Sequence, residues 1–455
     1  VDRANATLPT TSAQWHLRVW RLTWPVILAN ITIPLVGVAD VAVMGRLPDP
    51  AYIGAVAMGA AMFSAVYWLF GFLRMATTGL SAQAYGRYDL EAVVATFLRA
   101  CFLAGVLGIA IVALQWPLER LLFTLFNASE QVTNLASTYY QIRILGAPAL
   151  LIHLAQLGIL FGLQRMRDTL WLSIGLNITN LSLDVLFVLG LGMGVEGVAL
   201  GTIISEWGAT ILGFWLIHRA LKQLEWQSNW REAIRNTSLI QGAAVRQMFH
   251  VSSNLVVRTF FVQLPFFAGT VLATGLGDVT LAVHGVLMQL FFVMTYSLDG
   301  FAHTAETLGG YCFGARKPNA LKRAMRFCAL WAMFLGIATG CLYYGLGDAI
   351  VAQFTISQDV RVAASAYIPW LALAPIICVW AFLFDGIFIG TTHIVEMRNS
   401  MFAAAIIWGG ALYGMWQTPE WIPPYHAVWV AMLVFMIARG IFLALYYPRL
   451  VRAAA

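Results

Sequence analysis

The chain carries one long apolar pattern twice. FGFLRMATTGLSAQAYG occupies residues 70–86, and DGFAHTAETLGGYCFG occupies residues 299–314, about 228 positions further on. LGAPALLIHLAQLGILFG (145–162) returns as LALAPIICVWAFLFDGIFIG (371–390) at nearly the same offset. Two hydrophobic halves in the same order imply duplication of a membrane-spanning unit. Solute transporters commonly place their binding site between repeats of this kind.

Composition agrees with that reading. The chain is 60% hydrophobic and 11% charged, whereas soluble domains average roughly 25% charged residues. Twelve long apolar stretches are read at about 22–45, 52–78, 93–116, 139–163, 169–190, 197–217, 251–273, 281–308, 325–347, 366–391, 400–417 and 425–447. Nearly all reach the roughly 20 residues that cross a bilayer core. The expectation is an all-α integral membrane protein: twelve transmembrane helices in two pseudo-symmetric six-helix lobes around a central cleft. The N-lobe is expected over 1–222, a cytoplasmic inter-lobe linker over 223–245, and the C-lobe over 246–455.

Basic residues set the expected orientation. With both termini placed in the cytoplasm, only Arg46, Arg120 and Arg361 fall in outer segments, while Arg87, Arg165, Arg167, the run from Arg219 to Arg246 and the run from Arg316 to Arg326 fall inside. The net charge of +6 is therefore a topology signal first, and no dedicated domain supports nucleic-acid binding. No cleavable leader is expected, because the amphipathic stretch from Trp15 to Trp24 feeds directly into the first span. The five cysteines are scattered with no CxxC or Cys/His ligand spacing, so neither a disulfide framework nor a metal centre is expected. Residues 192–197 match GxGxxG, but no strand precedes them, and the nucleotide fingerprint needs a βαβ unit. No Walker A motif is present.

Intramembrane carboxylates narrow the function. An ionised one costs roughly 2.5–3.5 kcal/mol even on the lenient insertion scale, so it needs a partner, a wet cavity or a proton. Asp40, Asp184, Glu206, Asp299, Glu306 and Asp385 fall in spans. Asn177, Asn180 and Asp184 share one helix face at i, i+3 and i+7. Asp40 lies about 27 Å and Asp184 about 23 Å into outward-running spans. Thr202 and Tyr139 start inward-running ones, so these residues are expected to form one polar chamber in the outer half of the first lobe. Asp40 and Asp184 are expected to take up protons there and serve as the coupling site. A structural hydrogen-bond network and a sodium site built from the same oxygens are the competing readings. In the second lobe, Asp299, His303 and Glu306 follow at i, i+4 and i+7 in one span, with Asp385 in another. Asp40, Asn177, Asn180, Asp184, Asp299 and Asp385 are the candidate substrate contacts. His303 is expected to partner the acids next to it, and Arg74, Arg143 and Arg258 are expected to pair with acids or reach toward the interface. Pro148 and Pro375 are repeat-equivalent and predict architectural kinks, while Pro25 and Pro34 mark a bendable first helix.

LVGVADVAVMGRL (35–47), FLRMATTGLSAQAYG (72–86), GLNITNLSLDV (175–185), GVEGVALGTIISEW (194–207), SLDGFAHTAETLGG (297–310) and FDGIFIGTTHIVEMRNSM (384–401) together resemble the MATE family of multidrug and toxin extruders, in its DinF branch. The resemblance covers essentially the whole chain. One small departure occurs at Thr392 and His393, where the branch usually has a small and a basic residue. The resemblance implies a cation-coupled efflux antiporter of the bacterial inner membrane, expected to be a monomer, that exports amphipathic and often cationic small molecules without a cofactor. It associates the positions of Asp40, Asp184, Asn180, Thr202 and Tyr139 with proton coupling, and the position of Pro25 with bending of the first helix. The alternatives are sodium coupling, with the ion near Asp385 or the Asp40/Asp184 pair, and a lipid-linked precursor flippase. A flippase would want a basic cleft for pyrophosphate, whereas the buried charge here is mainly acidic. A membrane-embedded transferase or hydrolase would want a sizeable soluble loop, which the short loops do not offer.

Overall fold

The computed structural model describes residues 8–47, 49–124, 129–237 and 242–455, with the side chains of residues 33–41, 65, 244 and 245 outside the description. The Asp40 and Pro34 side chains therefore lie outside the described residues. Among the described residues every regular element is helical. In a bilayer the backbone must satisfy its own polar groups, and a helix does so within one segment.

The elements run α1 (Ser12–Met44), α2 (Ala51–Trp68), α3 (Phe72–Gly86), α4 (Leu90–Ala113), α5 (Gln115–Phe123), α6 (Glu130–Arg143), α7 (Ala147–Gly162), α8 (Met166–Asp184), α9 (Val195–Gln223), α10 (Trp230–Asn236), α11 (Gly242–Gly275), α12 (Asp278–Gly314), α13 (Pro318–Phe354), α14 (Gln358–Ser365), α15 (Ile368–Gly390), α16 (Ile394–Trp416) and α17 (Pro424–Ala453). Short 3-10 segments, Leu69–Gly71 and Ile144–Gly146, join α2 to α3 and α6 to α7, so each pair forms one continuous span. Ten described spans are long and apolar enough to cross a membrane, and the long helices α1 and α16 bring the set to twelve. The protein is an all-α, multi-pass membrane protein.

The chain divides into two compact units. Among the described residues the first comprises Leu28–Phe249, the second Leu8–Ile27 and His250–Ala455. α1 thus contributes its first half to the second unit and its second half to the first. The first turns of α11, up to Phe249, belong to the first unit. In the first unit, the segment before α11 is tied to α4 and α9: Glu91 accepts from Trp226 Nε1 (2.9 Å) and Ser228 Oγ (2.6 Å), and Trp230 Nε1 donates to His218 Nδ1 (3.0 Å).

The duplication is legible in side-chain-free packing. Gly158 of α7 lies against the Arg74 carbonyl of α3, and Gly386 of α15 lies against the Ala302 carbonyl of α12. Gly108 of α4 meets the Pro148 backbone, and Gly336 of α13 meets the Pro375 backbone. The glycines recur at the 228-residue offset of the repeat, as do Arg74 and Ala302, and the prolines at an offset of 227. A Cβ at any of the four would run into backbone, which cannot move aside as a flexible side chain can. Backbone conformation repeats as well. Tyr88 and Arg316 follow α3 and α12 with φ of 59° and 53°, and Gln164 and Thr392 follow α7 and α15 with φ of 60° and 56°. Non-glycine residues rarely adopt this left-handed region, so its recurrence at matching helix ends is a strong mark of one unit used twice. The GxGxxG match falls on the turn between α8 and α9, with Gly192 at φ 69° and Gly194 preceding α9, and no strand near it.

Candidate functional site

The first unit brings α6, α8 and α9 together around buried polar groups. On α8, Asn180 and Asp184 are 2% and 0% exposed. Asn180 Nδ2 donates to Thr202 Oγ1 on α9 at 3.3 Å. Asp184 packs on Gly201, the residue before Thr202, where a Cβ would collide with Asp184 Oδ1. Glycine is therefore the residue that lets α9 approach this carboxyl. Asn177, one turn before Asn180, donates to Thr32 Oγ1 on α1 at 2.6 Å. That bond ties the α8 polar face to the half of α1 that also carries Asp40.

Directly after Asp184 the helix widens into a π-helical turn over Val185–Gly190. Such turns occur mostly as single insertions and are frequent at functional sites. The apolar run VLFVLG gives no hint of it, because periodicity over six apolar residues does not separate π from α winding.

Below this cluster on α9 lies Glu206, 3% exposed, one turn after Thr202. Arg143 of α6 donates to both of its oxygens, Nη1 to Oε2 at 2.9 Å and Nη2 to Oε1 at 2.5 Å. Such two-point pairing is the strong geometry for guanidinium and carboxylate. Gly146 lies over the pair, where a Cβ would touch both Glu206 Oε2 and Arg143 Nη1. The Arg143 guanidinium also faces the rings of Phe63 (5.2 Å) and Tyr67 (5.8 Å) on α2, a cation–π arrangement. Tyr139 sits one turn before Arg143, buried, with its ring edge-on to Phe63 and against Gly59. Tyr139 and Thr202 thus each lie one helical turn before a member of the ion pair. Asp184, Asn180 and Thr202 thus meet where α8 packs on α9, and the Arg143–Glu206 pair lies a turn further along α9. The pairing expected for Arg143 is found, whereas Glu206, one of the carboxylates expected in spans, is not among the residues expected at the site. The signal for it was its position four residues after Thr202, on the same face of α9. Arg74 lies over the Phe161 ring at 5.4 Å.

The second unit holds its acids differently. Asp385 of α15, 5% exposed, accepts from Arg258 of α11 and from Arg439 of α17, both through Oδ2. Arg439 lies deep in α17 at 2% exposure, and its closeness to Asp385 has no local sequence signal because the two are on different helices. His303 Nδ1 and Glu306 Oε2 are 3.2 Å apart along α12, the local partnership expected of this histidine. Asp299 is half-buried on the same helix. Pro25 is buried within α1, two residues before the point at which that helix passes from one unit to the other. Among the described residues no three His, Cys, Asp or Glu side chains gather as a metal centre would require.

Comparison with known proteins decides the family. The MatE family model matches residues 25–186 and 255–407, one match in each half of the chain. The chain belongs to the MatE family. The DNA damage-inducible protein F of Escherichia coli K12 is 36% identical over 440 residues, covering 95% of this chain and 92% of that protein. This MatE chain is also 22% identical to the probable multidrug resistance protein NorM of Bacillus subtilis over 74% of each chain. Crystal structures of MATE in the bent and straight conformations superpose with TM-scores of 0.82 and 0.84 at 18% identity, each covering 98% of this chain and 99% of the other. The protein is a multi-pass membrane transporter of the MATE family, in the branch of its Escherichia coli relative, and not an enzyme.

Proposed function

We propose that the chain is a proton-coupled efflux antiporter for amphipathic, often cationic compounds, with coupling at Asp184 and Asp40 of the first unit and with Asn180, Thr202 and Tyr139 as the polar groups that accompany proton exchange. The observation that carries the reading is Asp184: fully buried, set in a polar cluster of an amide and a hydroxyl, and packed on a glycine. A carboxyl with such surroundings can alternate between a proton and a cationic cargo, so that each lowers the affinity for the other. Exchange then follows from differential affinity between two states. One charge moving across 100 mV supplies about 2.3 kcal/mol before any pH gradient is added. Relatives named for multidrug resistance and for multidrug and toxin extrusion support drug-like cargo.

The reading places coupling in the first unit because Asp385 already faces two guanidiniums. A sodium ion or cationic cargo at Asp385 would have to displace one of them. The protein is further proposed to act as a monomer in the bacterial inner membrane with both termini cytoplasmic.

The test is efflux of ethidium by proteoliposomes carrying an imposed pH gradient, with and without sodium, for Asp40→Asn and Asp184→Asn. Loss of at least tenfold in both variants, indifferent to sodium, is expected. Full transport in both would remove the coupling site, and strict sodium dependence would overturn proton coupling.

A further inference from the structure

Within the first unit, α3, α4 and the first turns of α11 enclose a cavity of about 180 Å³, several times the roughly 30 Å³ that one water occupies in the liquid. Among the described residues its polar lining is Gln83 from α3, Arg87 directly after α3, Thr96 and Arg99 from α4, and Gln247 from α11, with no acid. These side chains converge because Arg87 follows Gln83 by one turn, as Arg99 follows Thr96 on α4. The cavity lies at the end of the unit where the basic loops gather, the cytoplasmic side by the distribution of Arg and Lys.

The repeat shows that the fold does not demand this chemistry. At the sequence offset fixed by the paired glycines, Gln83, Arg87, Thr96 and Arg99 correspond to Tyr311, Ala315, Ala324 and Phe327 of the second unit. None of those is charged. There Phe327 stacks on Trp15 of α1 (centroids 6.2 Å) and meets His16 edge-on (4.8 Å). Trp15 is 1% exposed. One unit therefore seals this place with aromatic rings, and the other leaves it open and lines it with two guanidiniums, two amides and a hydroxyl.

We propose that this cavity is a binding site for a phosphate group, either the headgroup of an anionic phospholipid or a free phosphate, distinct from the polar cluster around Asp184. Guanidinium forks match phosphate oxygens two at a time, and amide N–H donors complete a tetrahedral acceptor. Anionic lipids concentrate at the cytoplasmic surface, where basic residues next to spans recognise them. Arg99 lies nine residues into α4, about 14 Å along it, so the charge reaches below the surface to the level of a headgroup drawn inward.

The experiment uses the full chain in phosphatidylcholine nanodiscs and follows its melting, with sodium chloride at equal ionic strength as reference. One arm adds phosphatidylglycerol to the disc and the other titrates inorganic phosphate. Stabilisation by phosphatidylglycerol alone assigns the headgroup, and stabilisation by inorganic phosphate as well assigns the free anion; either supports the site. Arg87→Gln with Arg99→Gln is expected to weaken the response at least tenfold, while Arg361→Gln, outside the cavity lining, leaves it unchanged. Because Arg87 is exposed, Arg87→Gln alone serves if the double variant does not fold, and is expected to weaken binding several-fold. No response to either ligand, an unchanged response in the Arg87 variants, or an equal loss in Arg361→Gln would overturn the proposal. The readout involves no transport, so it stands apart from the outcome of the efflux test.

Discussion

Arg143 and Glu206 meet through two hydrogen bonds, 2.9 and 2.5 Å long, with the guanidinium backed by the rings of Phe63 and Tyr67. Both residues lie in spans, and Gly146 provides the space that the pair occupies. Removing one partner strands a buried charge, which costs about 3–5 kcal/mol, whereas replacing both by apolar groups of similar volume is often neutral. Glu206→Gln is therefore expected to lower the melting temperature sharply, and Arg143→Met with Glu206→Met to recover most of the loss. Melting of Glu206→Gln, Arg143→Met and the double variant in one detergent checks this. Additive losses in the double variant would mean that the two residues act separately.

Asp385 carries a similar argument with a different balance. It faces Arg258 and Arg439 together, so Asp385→Asn removes the carboxylate that both guanidiniums face. The variant is expected to fold poorly, at a cost of about 3–5 kcal/mol, and to run as aggregate in size exclusion. Asp385→Asn combined with Arg258→Met is expected to return much of the monodisperse fraction. If Asp385→Asn remained monodisperse and lost only transport, the residue would be a ligand for cargo or ion and not the anchor of a charge triad.

What the sequence made legible follows from what hydropathy and spacing encode. The spans, their pairing into halves and the shared face of Asn177, Asn180 and Asp184 are local patterns, and each corresponds to a helix or helix face in the structure. The pairing of Asp385 with Arg439 joins residues on separate helices, which no period reports. The π-helical turn after Asp184 was hidden for a different reason: its residues are uniformly apolar. The glycines were visible in the repeat, but their partners were not. Only the structure shows that Gly158 and Gly386 receive the carbonyls of Arg74 and Ala302.

Those glycine contacts give a stability test. At Gly386 a Cβ would meet the Ala302 backbone, whereas at Gly208 of α9 nothing lies within reach. Overpacking against backbone costs about 1–3 kcal/mol. A helical Gly→Ala change with room to spare gains up to about 1 kcal/mol. Gly386→Ala is expected to lower the melting temperature and Gly208→Ala to hold or raise it. Gly158→Ala is expected to behave as Gly386→Ala does, and unequal responses would show that the two units tolerate strain differently.

Pro25 offers the test that separates a hinge from a fixed kink. On its N-terminal side α1 is anchored within the second unit by Trp15 and His16 against Phe327, by His16 Nδ1 accepting from Trp331 Nε1 at 2.9 Å, and by Thr23 bonded to Thr304 at 2.8 Å. On its C-terminal side Thr32 is held by Asn177 in the first unit. Proline inside a helix removes one backbone hydrogen bond and crowds the preceding turn, a penalty of about 3 kcal/mol. Pro25→Ala would restore both and stiffen α1 between its two anchors. The expected outcome is a melting temperature raised by a few degrees together with efflux reduced several-fold, read by ethidium transport in proteoliposomes normalised to reconstituted protein. A raised melting temperature with undiminished efflux would reduce Pro25 to a fixed bend, and the proton exchange proposed at Asp40 and Asp184 would then have to reach the cargo by some motion other than bending at this residue.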